Sequence, residues 1–107
     1  MNFAEIKAKI KSLLTSPHPS AQDWADIMTS LQFLLSDAVT IALAKEIQAM
    51  IKFKEIRKEE KTKSDAEIVW KSTTEWADWR AAEETKKEIE GWKTVASRQT
   101  SARYKGY

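Results

Sequence analysis

Apolar residues recur along most of this chain at helical spacing. Phe3, Ile6, Ile10, Leu13 and Leu14 form the stripe of a first short helix within residues 1–16, and Lys7, Lys9 and Lys11 fall off that stripe. Asn2 followed by Glu5 reads as its capping box. The segment TSPHPS then stops the helix, because neither proline extends a helical hydrogen-bond ladder and each disfavours helix in the residue before it. Ser20 with Asp23 offers the next N-cap.

A long helix is expected over residues 20–62. Trp24, Ile27, Met28, Leu31, Leu34 and Leu35 keep helical spacing, and Val39, Leu43, Ile47 and Met50 resume it. Ser36-Asp37 between them reads either as a break or as a solvated turn of a continuing helix. The stripe that begins apolar ends in Lys54, Arg57 and Lys61, and a second line of Ala42, Ala49, Phe53 and Ile56 runs beside it. The first half of this helix is expected to pack and its last turns to protrude.

KTKSDAE, residues 61–67, is the predicted reversal. Ser64 and Glu67 form a capping box, and Asp65 sits where the helix dipole favours a carboxylate. A third helix follows over residues 65–103, with 104–107 as the end of a basic tail. Ser72 with Glu75 is a further capping pair, so a kink is expected near residues 72–74. The predicted fold is all-α: a single domain over residues 1–107, built as a long antiparallel helical hairpin with a short N-terminal helix, in a bundle or coiled-coil-like assembly. So thin a hairpin leaves apolar surface exposed, which predicts a homo-oligomer.

Composition supports helix. Two glycines and two prolines in 107 residues leave little turn chemistry for strands. The absence of cysteine removes disulfides and thiolate metal ligands and fits a cytoplasmic location. The start, MNFAEIKAKIKSLL, is too charged for a signal peptide. Residues 31–44, the most apolar window, read as too short and too polar to span a bilayer, so no membrane is expected as a partner.

The formal net charge of +2 hides an uneven distribution. Residues 21–44 carry only the acids Asp23, Asp26 and Asp37. Residues 45–63 carry seven bases against four acids, and residues 64–90 carry eight acids against four bases. Beyond Glu90 only bases follow: Lys93, Arg98, Arg103 and Lys105.

Three of the five tryptophans lie in WKSTTEWADW, residues 70–79. Trp76 and Trp79 stand roughly 60° apart on a helix, whereas Trp70 and Trp79 point roughly 180° apart. All three share a platform only if the helix breaks between them. Trp76 and Trp79 read first as side chains buried against the preceding helix, with base stacking and a protein interface as the other readings. Trp92 opens the basic tail and is a candidate for binding.

Catalytic chemistry is not evident. The lone histidine, His18, lies between prolines, without the base–nucleophile pairing that covalent catalysis needs. One histidine and no cysteine do not supply the three or four ligands of a zinc site. Glu59-Glu60 and Glu83-Glu84 read as solvated helix faces. No phosphate-binding glycine motif is present. A non-enzyme is expected, with no cofactor, metal or small-molecule substrate.

Two features suit phosphate binding. Lys54, Arg57, Lys58 and Lys61 fall on one broad helix face, although Glu–Lys pairing on a solvated surface gives the same pattern. The tail GWKTVASRQTSARYKGY, residues 91–107, joins Trp92, Lys93, Arg98, Arg103, Tyr104 and Lys105 with many hydroxyls. Bases neutralise phosphates, hydroxyls donate to them and aromatic rings stack on nucleobases. Alternatively the tail folds back and its cations meet Asp23, Asp26 and Asp37.

AKEIQAMIKFKEIRKEEKTKSDAEIVWKSTTEWADW and the SRQTSARYK end resemble small phage and prophage proteins from recombination-gene regions. The resemblance covers about residues 43–107, roughly 60% of the chain, and is compositional. It implies a recombination mediator, a small oligomeric protein that binds single-stranded DNA and helps load a recombinase. The Trp density and the N-terminal helices depart from that pattern. A second expectation is a phage-type, anti-CRISPR-like inhibitor of a host or defence enzyme. There Asp65, Glu67, Glu75, Asp78, Glu83 and Glu84 present DNA-like negative charge, and Trp76 or Trp79 acts as anchor. A third is a structural assembly subunit.

Overall fold

The computed structural model describes every residue except Met1, His18, Gly106 and Tyr107, and every side chain outside residues 102–107 but those of Met1 and His18. Among the described residues there are four α-helices and no strand: α1 (Phe3–Thr15), α2 (Ala21–Glu59), α3 (Lys63–Lys71) and α4 (Thr74–Lys105). The all-α expectation holds. α2 pairs with α4 in hairpin fashion: Gln32 meets Lys93, while Gln48, Ile51 and Glu55 share a groove with Glu75.

Local chemistry sets the helix ends. The Glu5 N–H donates to Asn2 Oδ1 (2.8 Å), and Asn2 Nδ2 donates back to Glu5 Oε1 (2.8 Å), closing the predicted box on α1. At the start of α2, the Asp23 N–H donates to Ser20 Oγ (3.1 Å) and the Ser20 hydroxyl to Asp23 Oδ2 (2.9 Å). Helix α2 runs through Ser36-Asp37 without interruption, so that pair is a solvated turn.

Three boundaries are corrected. α2 ends at Glu59, so Lys61 lies in the turn and not on the helix. The cap of α3 is Thr62, whose hydroxyl accepts from the Asp65 N–H at 3.1 Å; Ser64 lies inside the helix. The single third helix is two, parted at Ser72 and Thr73. The Ser72 and Thr73 hydroxyls donate to the Val69 and Trp70 carbonyls (both 2.6 Å), and Thr73 Oγ1 accepts from the Trp76 N–H (3.2 Å). Such side-chain bonds compete with the helical ladder. Thr73 thereby closes α3 and caps α4, the role assigned to Ser72 by sequence.

The chain divides into two compact units, Met1–Asp37 with Lys87–Tyr107, and Ala38–Lys86. The core of the first joins Ile6 and Ile10 of α1, Trp24, Ile27 and Leu31 of α2, and Ile89 and Ala96 of α4. A Lys7–Glu88 ion pair (3.2 Å) links α1 to α4 at its surface. The core of the second holds Ala38, Ala42, Ala49, Ile56 and Ala66.

In that second unit α2 buries only Ala38 and its Ala42–Ala49–Ile56 line. Val39, Leu43, Ile47 and Met50, expected to pack, are exposed. Helical spacing alone marked both lines as apolar; α3 and α4 cover one of them.

A candidate nucleic-acid interface

Lys54, Arg57 and Lys58 stand exposed at the C-terminal end of α2. At 100° per residue they share a face roughly 100° wide, and Glu55 and Glu59 project to the other side. Glu55 is drawn away to Lys52 (3.7 Å). Arg57 Nη1 donates to the Glu60 carbonyl at 3.5 Å, a long bond that leaves its other donors to solvent. None of these cations has a carboxylate partner within ion-pair distance among the described residues. Lys61 is exposed in the turn that follows. Cations here also complement the negative end of the helix dipole, a structural use of the same charges.

The tail candidates belong to the other unit. Lys93 Nζ donates to Gln32 Oε1 (2.5 Å). Lys93 also lines an open groove of about 350 Å³ with Leu35, Glu90, Thr94, Ser97 and Arg98. Arg98 is exposed and Trp92 half-buried. The side chains of Arg103, Tyr104 and Lys105 lie outside the described residues. This part of α4 does pack on α2, but Lys93 meets an amide, while Asp23 is bonded to Ser20 and Asp26 to Gln22.

The aromatic cluster answers the question that spacing left open. The break at Ser72-Thr73 turns Trp70 and Trp79 to the same side, and their rings stack at 5.8 Å with an interplanar angle of 24°. Phe53 of α2 closes on Trp70 at 4.8 Å. The indole N–H of Trp70 donates to the Ala49 carbonyl (2.9 Å), and Arg80 lies over the Trp79 ring at 5.6 Å. The Trp79 N–H is buried with no partner among the described residues. An unbroken helix would point Trp70 and Trp79 apart, so the pair depends on the break that the sequence offered as a kink near residues 72–74.

Of the acidic alternative, Asp65, Asp78 and Glu84 are exposed, while Glu67, Glu75, Trp76, Trp79 and Glu83 are half-buried. Glu83 is held by Lys86 at 3.1 Å. Among the described residues no group of three His, Cys, Asp or Glu could hold a metal ion.

By length and composition α2 can cross a membrane. It contains a stretch of mean hydropathy 1.6, of which 22% is buried, so the exclusion drawn from residues 31–44 does not extend to the whole helix. No protein-family model, curated protein or solved structure matches the chain.

Proposed function

We propose that this chain is a non-enzymatic accessory protein that binds the phosphate backbone of nucleic acid. The observation that carries the reading is the exposed face of Lys54, Arg57 and Lys58, with Lys61 following it and the nearby glutamates turned away. Phosphate contacts supply affinity without sequence preference, which suits an interface made of flexible cations on a helix end. Lys93, Arg98, Arg103 and Lys105 of the tail form a second set of phosphate-binding cations. Trp92 and Tyr104 are its stacking candidates. The resemblance to phage recombination mediators favours single-stranded DNA as the ligand and a recombinase as the protein partner.

The inhibitor reading has less support. Trp79, one of its two candidate anchors beside Trp76, is stacked on Trp70, and Glu83 is neutralised by Lys86.

The test is an anisotropy titration with labelled single- and double-stranded oligonucleotides at several salt concentrations. Replacing Lys54, Arg57, Lys58 and Lys61 by glutamine leaves the core untouched, since all four are exposed. The salt slope is expected to fall by about one for each phosphate that no longer meets a cation. Binding that ignores these substitutions, or no binding at low salt, overturns the reading.

A further inference from the structure

Helix α2 is apolar on two opposite sides. One side is buried by Ala38, Ala42, Ala49 and Ile56. The other presents Val39, Leu43, Ile47, Met50 and Ile51, with Leu43 56% and Ile47 54% exposed. At 100° per residue this second stripe is centred roughly 130° from the buried one. Isolated apolar side chains are ordinary on a surface; a contiguous line of five is the mark of an interface.

We propose that this stripe is the self-association surface of the protein, covered by the same stripe of a second copy running antiparallel. Thr40, Leu43, Ile47, Met50 and Lys54 alternate in steps of three and four residues, the seam that two helices use to interlock knobs into holes. The apolar stripe is symmetric about residue 45. An antiparallel two-fold through that point sets Leu43 of each copy against Ile47 of the other, and Met50 against Thr40. Lys54 then falls across from Ser36 and beside Asp37 of the second copy, so in the dimer the phosphate-binding role rests on Arg57, Lys58 and Lys61. A parallel pair instead sets Lys54, Arg57 and Lys58 against themselves, a like-charge array that disfavours it. The charge order along α2, acids first and bases last, therefore selects the antiparallel copy.

A bilayer fits the same stripe less well. The stripe itself, thirteen residues, rises about 20 Å and does not match a hydrocarbon core about 30 Å thick, although α2 as a whole is long enough to cross one. The opposite side of this part of α2 is occupied by helices carrying Glu67, Asp78, Glu83 and Glu84, which would have to enter the bilayer with it.

Sedimentation equilibrium of the full chain from 10 to about 200 µM tests the proposal against flotation with neutral phosphatidylcholine vesicles, in the concentration range where weak helical dimers assemble. The expected result is twofold mass for the natural chain. Leu43→Lys with Ile47→Lys should return it to single mass with unchanged circular dichroism, because both sites are exposed. The chain has no cysteine, so single cysteines report register cleanly. Oxidising a mixture of Leu43→Cys and Ile47→Cys chains should give mainly mixed disulfides, the pair within bonding reach in the antiparallel seam. Single mass at every concentration, vesicle binding lost in the Leu43→Lys/Ile47→Lys chain, or mainly like-with-like disulfides overturns the proposal.

Discussion

In the unit made of residues 1–37 and 87–107, Trp24, Ile6, Ile10, Ile27 and Leu31 are wholly removed from water. In the unit made of residues 38–86 the buried apolar residues are alanines apart from Ile56. Eight of the ten large apolar side chains exposed among the described residues belong to that second unit. One unit draws its cohesion from large aliphatic and aromatic side chains meeting from three helices. The other draws it from alanines, which add little apolar area, and from the Phe53–Trp70–Trp79 cluster. It keeps its larger aliphatic residues outside. A helix that packs through alanine and displays leucine and isoleucine has its apolar capacity directed outward.

The sharpest way to break the comparison is to truncate one residue from each side of it. Trp24→Ala removes a side chain with no exposure and should cost about 3–5 kcal/mol of stability. Leu43→Ala removes a similarly apolar side chain that is 56% exposed and should cost under about 0.5 kcal/mol in dilute solution. Urea denaturation at low protein concentration measures both. Comparable losses would mean that the stripe on α2 is already covered in the single chain.

A smaller effect separates the two stacked tryptophans. Trp70 donates its indole N–H to the Ala49 carbonyl, whereas the Trp79 N–H is buried without a partner among the described residues. Trp70→Phe leaves a carbonyl short of a bond and thins the stack, a loss of about 1–2 kcal/mol. Trp79→Phe also loses ring area, but it removes a buried donor whose orphaned state costs about 1–3 kcal/mol, so the two terms largely cancel. Thermal melts of the two variants should therefore differ in that order. The reverse order would show that the Trp79 N–H is satisfied in solution.

Much of the fold was legible because its signals are local. Asn2 with Glu5 and Ser20 with Asp23 each occur once near their helix starts, and both form. At the reversal, Thr62–Asp65 and Ser64–Glu67 are two capping pairs of the same type two residues apart. Spacing does not choose between them, and the chain uses the first. The break at Ser72-Thr73 was legible as a kink but not as a full end, since two hydroxyls must turn back on the Val69 and Trp70 carbonyls. The stacking of Trp70 on Trp79 depends on that break. Which of the two apolar lines of α2 is buried is decided by α3 and α4, and no periodicity within α2 records it. The candidate binding cations were legible as charge, and the structure adds that Lys61 leaves the helix face while Lys54, Arg57 and Lys58 keep it.

The smallest expected effect lies at the start of α2, in the better-packed unit. Hydrogen bonds from the Ser20 hydroxyl, then from the Ser20 backbone N–H, hold the Asp23 carboxyl below its ordinary value of 3.8. A carboxylate with a lower pKa in the folded chain than in the unfolded chain stabilises the fold when both are ionised. That contribution is complete above the unfolded value and is lost as pH falls through the folded one. Asp23→Asn keeps the shape but removes the charge that Ser20 and the N-terminal dipole of α2 favour. The natural chain should therefore melt above the Asp23→Asn chain at pH 7. The gap should close in acid below the folded pKa, where protonated Asp23 resembles asparagine. A gap that stays constant with pH would assign the cap to shape and hydrogen bonding alone. Because the box lies at an exposed end, its effect should be well below that of Trp24→Ala in the same unit, which separates how a helix is started from how its core is held.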